Sequence, residues 1–171
     1  MPAGKISIDN AKKDKLFYFV ANVIIYRPDG RCLILKRNEK EKVHPGKWCV
    51  PGRKMEWADL DITKPTRMNG EVFDFENVIE SLLKREAREE AGIEIGNELV
   101  YINSVAFVRP DGIPVVMMKF AAEYKSGVVK LENSFTDFAW VNEKEAKGYD
   151  CIVGIQEEIA KAISSLAAWE E

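Results

Sequence analysis

An α+β fold is predicted for this 171-residue chain, and three observations predict it. The tetrapeptide Arg-Pro-Asp-Gly occurs twice, at 27–30 and 109–112, each time between runs of aromatic and branched residues, so each copy marks a hairpin. Two later segments repeat apolar residues at three- and four-residue spacing, one running into Arg85-Glu86-Ala87-Arg88-Glu89-Glu90-Ala91-Gly92 and one over 152–166. The order is strands, a loop with an insertion, a helix, strands and a second helix, which is segregated rather than alternating.

Taken in chain order, residues 17–26 and 31–36 are the first two strands, joined by Pro28 at the second turn position and Asp29-Gly30 after it. Residues 48–50 read as a further strand. The first helix carries the stripe Val78, Ile79 and Leu82, with Ser81, Lys84 and Arg88 on the other side. Asn77-Val78-Ile79-Glu80 has the form of a reciprocal cap at its start, and Gly92 suits a left-handed C-cap at its end. Residues 105–108 and 115–118 form the second hairpin, and 138–141 another strand. In the last helix Ile152, Ile155, Ile159, Ile163 and Leu166 face the core while Glu157, Glu158 and Lys161 turn away. Its acidic outer face gives no support for membrane binding.

The composition, 46% hydrophobic and 31% charged, suits one domain over 16–171, with 1–15 expected to be a flexible tail. A net charge of -3 argues against a nucleic-acid polymer or an acidic membrane as partner. Cys32, Cys49 and Cys151 form no metal or redox motif and read as core thiols in a reducing compartment. No secretory signal precedes Lys15, and the apolar run 16–26 is too short to span a bilayer, so the expected location is cytoplasmic.

Chemistry concentrates at the end of the first helix. Glu86 and Glu89 are i,i+3 neighbours and Glu86 and Glu90 i,i+4 neighbours, so three like charges share a face that continues the inward apolar stripe. Buried carboxylates so placed call for a cation, and hard oxygen donors suit Mg²⁺ or Mn²⁺. An ordinary surface salt bridge from Arg85 to Glu89 is the simpler alternative.

The run Arg85-Glu86-x-x-Glu89-Glu90-x-Gly92-Ile93 resembles the second half of the box that defines the Nudix hydrolases. Trp48-Cys49-Val50-Pro51-Gly52-Arg53-Lys54-Met55-Glu56 resembles its opening strand and glycine loop. Arg53 stands at a usual glycine, Asn77 at a usual glutamate, and residues 57–76 form an insertion that most members lack.

The resemblance implies a Nudix-like mixed β-sheet sandwiched between α-helices. It implies a divalent-metal-dependent hydrolase in which water attacks phosphorus in the diphosphate linkage of a small-molecule nucleoside diphosphate derivative. Glu86, Glu89 and Glu90 then hold Mg²⁺, or Mn²⁺, with the Arg53 backbone carbonyl and Glu56 as further donors. Arg53 and Lys54 are candidate phosphate-binding residues; Arg53 equally could distort the loop. The general base is Glu132, on the distant loop 131–137, or Glu89, and Arg85 orients a carboxylate. Homodimers are frequent among similar proteins. A binding or sensor domain disabled by Arg53 is the rival reading; an isoprenoid diphosphate isomerase is a further one, poorly supported by Cys49.

Other conspicuous residues fit structural roles. His44, in Val43-His44-Pro45-Gly46, reads as a surface loop residue, and Trp48 and Trp140 as core anchors. Phe17, Phe107 and Phe135 read as packing residues rather than base-stacking ones. Lys64 and Arg67 could close over phosphates, but a mobile charged loop is the expectation for the insertion.

Overall fold

A computed structural model describes residues 6–167. Among the described residues ten strands and three α-helices follow one another. In chain order they are β1 (Tyr18–Tyr26), β2 (Cys32–Arg37), β3 (Trp48–Cys49), β4 (Gly52–Lys54), β5 (Arg67–Asn69), β6 (Val72–Asp74), α1 (Val78–Ala91), β7 (Glu94–Ile95), β8 (Val100–Val108), β9 (Pro114–Ser126), β10 (Phe135–Val141), α2 (Glu143–Ala146) and α3 (Ile155–Ala167). The main sheet runs β10-β2-β1-β9-β7, with β3 on β2, β4 on β1 and β8 on β9; β5 and β6 form a separate hairpin.

β1 explains the architecture. It pairs in parallel with β9 along its whole length, from Tyr18↔Val115 to Tyr26↔Glu123, and antiparallel with β4 over Val20↔Lys54 to Asn22↔Gly52. Both of its faces are covered, which is why it reads as nearly continuous apolar sequence. Ala21, Val23 and Ile25 join Leu33, Leu35, Leu82, Leu83 and Ala87 in the core beneath α1. Ile24, Cys32 and Ile34 join Ile155, Ile159 and Ala162 in the core beneath α3. The mixed sheet is thus sandwiched between helices, as expected.

Both Arg-Pro-Asp-Gly segments form the expected turns. Arg27 and Arg109 donate to Asp29 and Asp111 within them, and Gly30 and Gly112 lie in the left-handed region. The second hairpin is longer than its sequence pattern indicated, because β8 and β9 extend well beyond 105–108 and 115–118. Of the expected tail, residues 1–5 lie outside the described residues; Lys13–Lys15 form a 3₁₀ turn. No helix among the described residues is long and apolar enough to cross a membrane.

Four expectations are corrected. Asn77 makes no side-chain cap; it sits at φ 56°, ψ 34°, where Asn is tolerated better than most residues, so its role is backbone geometry. Replacing Asn77 with Ala should lower stability by about 1 kcal/mol, whereas Asn77→Gly should hold or raise it. Denaturant midpoints of the two variants check this, and equal losses would show that the left-handed backbone at 77 does not set the cost. The insertion, expected as a charged loop, contains regular structure: a 3₁₀ turn at Trp57–Asp59 and the β5–β6 hairpin, where Arg67 pairs with Asp74 and Glu76. Glu158 does not turn away from the core. At i+3 from Ile155 it falls on the inward stripe, is 3% exposed, and pairs with Lys119 of β9. Trp48 and Trp140, expected as core anchors, are only partly buried and pack at the core margins.

The remaining aromatics and cysteines sort by burial. Phe135 is buried, but Phe17 and Phe107 are exposed, so only the first packs as expected. Cys32 and Cys49 are buried thiols, each pushed up to about 12 by burial, and Cys151 is partly buried; all three are unpaired. His44 lies on an exposed loop at φ 49°.

Candidate active site

The site forms where β4 passes under the C-terminal half of α1. β4 can approach β1 only with glycine at 52, since a Cβ there would stand 2.4 Å from the Ala21 carbonyl oxygen. That approach lets the Gly52 N–H donate to Glu90 at 3.2 Å. α1 ends at Gly92, φ 68°, whose N–H donates to the Arg88 carbonyl at 2.9 Å while that of Ile93 reaches Ala87. This cap directs the chain into β7 and fixes where the acidic turn stops.

The three glutamates do not share one environment. Glu86 and Glu90, 40° apart in helical projection, point inward: Glu86 is 4% exposed and Glu90 partly buried. Glu89 lies further round the helix and its side chain is 54% exposed, which corrects the expectation of a common inward face. Glu132 comes to the same place from a distant segment, its N–H donating to the Glu90 carbonyl at 3.3 Å and its charge adding to that of Glu90. Burial, reinforced by Glu86 and Glu132, pushes the Glu90 carboxyl up to about 8 against the opposing N–H of Gly52. Glu86 is likewise raised by burial, with Arg53 opposing.

Arg53 answers part of this negative charge. Its guanidinium lies 3.3 Å from Glu86, 3.5 Å from Glu56 and 3.7 Å from Asp59, while its backbone pairs with Ala21 in the β4–β1 ladder. Lys54, next along the strand, projects to the opposite face, its ammonium 5.3 Å above the Tyr18 ring. The two expected phosphate-binding side chains are therefore separated by the sheet. Glu56 is exposed, and its carboxylate faces Arg53.

Asp59, which the sequence pattern did not single out, is the hub of the second layer. Its carboxylate accepts from Arg85 at 2.5 Å and from the Glu56 N–H at 2.7 Å. Burial opposes its ionisation, yet the Glu56 N–H, Arg85 and Arg53 outweigh it and hold Asp59 below the usual carboxylate range. Arg85 accordingly serves Asp59 first; its distances to Glu86 and Glu89 are 3.8 and 4.0 Å. The only local signal for Asp59 was its spacing from Glu56, an acid three residues into a turn.

Among the described residues no three acidic, histidine or cysteine side chains converge closely enough to hold one ion as they stand. The donor set nevertheless fits a hard divalent cation. Glu90, raised first by burial and then by its neighbours Glu86 and Glu132, is a partly buried oxygen donor with the Gly52 N–H as its hydrogen-bond donor, and an ion there would relieve the crowding of carboxylates.

Known proteins resemble this chain at low identity. The nucleoside triphosphatase NudI of Escherichia coli K12 is 24% identical over 140 residues, 77% of this chain and 86% of that protein. The structure of a MutT protein from Methanosarcina mazei Go1 superposes with a TM-score of 0.62 at 20% identity, covering 91% of this chain and 99% of that one. The NUDIX domain of Shewanella oneidensis NrtR, solved with ADP ribose, gives 0.65 at 13%, covering 92% and 94%. The family model for the NUDIX domain matches residues 17–162, nearly all of the sheet and helices that build the acidic site, and on that match the chain belongs to the Nudix family.

Proposed function

We propose that this chain is a divalent-metal-dependent hydrolase that cleaves the diphosphate linkage of a nucleotide or nucleoside diphosphate derivative. The observation that carries the proposal is the pairing of Glu86 and Glu90 over β4, with Glu132 beside them from a distant loop. Glu86, Glu89 and Glu90 would hold Mg²⁺ or Mn²⁺, with Glu56 and the Arg53 carbonyl as further oxygen donors. When bound, the ion supplies charge neutralisation for the phosphates and a lowered pKa for the attacking water.

The chain's own residues do the rest. The Gly52 N–H holds the Glu90 carboxylate in place, and Arg85 fastens α1 to Asp59 so that the glutamates keep their spacing. Arg53, partnered by Glu56, Asp59 and Glu86, is a planar cation at the edge of the acidic site that would reach a phosphate seated there. Glu132, exposed and next to Glu90, is the base candidate from outside the helix, and Glu89 the one within it.

The sensor reading keeps one point in its favour: Arg53 is a resident cation at Glu86. A panel of nucleoside di- and triphosphates and dinucleotides with Mg²⁺ or Mn²⁺ separates the two. Phosphate or nucleoside monophosphate release from at least one member is expected. Saturable binding across the panel with no release would favour the sensor. Arg53→Gly is expected to shift the metal dependence of the rate, and an unchanged titration would show that Arg53 does not compete for the acidic site.

A further inference from the structure

Beside the 53–56 loop lies a cavity of about 730 Å³ that meets the proposed metal donors only at Glu56. Its walls come from the chain entering β1, Leu16, Phe17 and Tyr18, and from the insertion, Trp57 and Leu60. Three large aromatic side chains there are about half exposed: Phe17 at 52%, Tyr18 at 42% and Trp57 at 49%. Exposed aromatics gathered round one concavity are costly in water and gain most from a flat, largely apolar ligand.

The electrostatics of the rim narrow the ligand. Lys54 lines the cavity on the face away from Arg53, its ammonium 5.3 Å from the Tyr18 ring, and Arg109, 5.6 Å from that ring, is paired with Asp111. On the other side Glu56 lines the cavity and faces Arg53, which in turn touches Glu86, so a single side chain separates the cavity from the acidic helix. A planar ring whose phosphorylated arm runs past Glu56 toward Arg53 and the acidic helix fits this placement; an aliphatic chain would leave the aromatic walls unstacked.

The wall is also rigid where it must be. Trp57 opens the 3₁₀ turn that Asp59 closes, and Asp59 is fastened to the Glu56 N–H, Arg85 and Arg53. The insertion therefore presents Trp57 from a turn pinned to the helix that carries the glutamates. We propose that this cavity seats the nucleobase of the substrate, with Trp57 of the insertion and Phe17 as its stacking residues. The proposal rests on the nucleotide-hydrolase reading for what is cleaved, but its binding step can be measured without cleavage.

The test is a titration of Trp emission with AMP, GMP, CMP and UMP in EDTA, using the full chain and its Trp57→Phe variant, followed by kinetics of Trp57→Ala and Phe17→Ala. At least one monophosphate should quench saturably, and that quenching should be lost in Trp57→Phe. On the substrate found in the panel, KM should rise roughly tenfold in Trp57→Ala, the scale of a lost base-stacking contact. The value of kcat should stay within about twofold, as for an interaction made equally in ground and transition states. No quenching by any of the four, quenching unchanged in Trp57→Phe, or an unmoved KM in both alanine variants overturns the proposal. Hydrolysis with KM insensitive to both substitutions sinks the base site and spares the hydrolase. Quenching that depends on Trp57 without hydrolysis of any panel member does the reverse.

Discussion

Glu90→Gln lowers metal-dependent hydrolysis by on the order of 100-fold or more, while the metal-free protein unfolds at the same temperature or a higher one. The opposite signs follow from the geometry. Glu90 is a partly buried carboxylate beside Glu86 and Glu132, with the Gly52 N–H as its hydrogen-bond donor. Gln keeps an oxygen for that N–H and removes a group whose ionisation burial, Glu86 and Glu132 all oppose, so folding loses no favourable charge contact. Metal binding loses a charged ligand. Thermal scans with and without Mg²⁺ complete the test: the ion-induced rise in Tm of the parent should shrink or vanish in the variant. A fall in metal-free stability together with near-normal turnover would show Glu90 to be a structural acid. Glu89→Gln is the useful companion, because its half-exposed side chain leaves folding alone and its rate can be read without correction.

Much of this site was legible in the sequence because it is local. The stripe from Leu82 to Glu86 and Glu90, and the stop at Gly92, are set by helix geometry and a left-handed cap, both encoded within a few residues. The two hairpins were legible for the same reason. What escaped is long-range. Asp59 matters only because the insertion folds back onto Arg85, 26 residues on, and nothing near Asp59 announces that partner. Asn77 read as a cap because the spacing to Glu80 is right, but the entry of the chain from the β5–β6 hairpin imposes a left-handed residue there. Glu89 and Glu90 looked equivalent, but consecutive residues of α1 point about 100° apart, and the packing of α1 on β4 leaves Glu90 partly buried and Glu89 exposed. Lys54 lay beside Arg53 in sequence, and strand pleating placed it on the other face.

The second large effect lies away from the acidic helix, in the buried pair that the periodicity of α3 concealed. Lys119 and Glu158 are 8% and 3% exposed at the side chain, between the sheet and α3, and the second oxygen of Glu158 has no hydrogen-bond partner. Lys119→Met should destabilise the fold by about 3–5 kcal/mol, because it strands a buried carboxylate without its counter-charge. Lys119→Met combined with Glu158→Leu should recover most of that loss, since two apolar side chains of similar volume need no solvation there. The pH dependence fixes the cause. Burial raises the Glu158 carboxyl above its usual value and Lys119 opposes the rise, so removing Lys119 pushes it higher still. A carboxyl raised in the folded state contributes stability that is complete below its unfolded pKa of about 4.3 and is lost as pH climbs through the folded value. The gap between Lys119→Met and the parent should therefore narrow as pH falls toward the carboxylate range and widen toward neutrality. Denaturant unfolding of parent, single and double variants across that range measures it. A gap that does not change with pH, or a double variant no more stable than the single, would mean that lost packing of the Lys119 stem, rather than an unpaired charge, sets the cost.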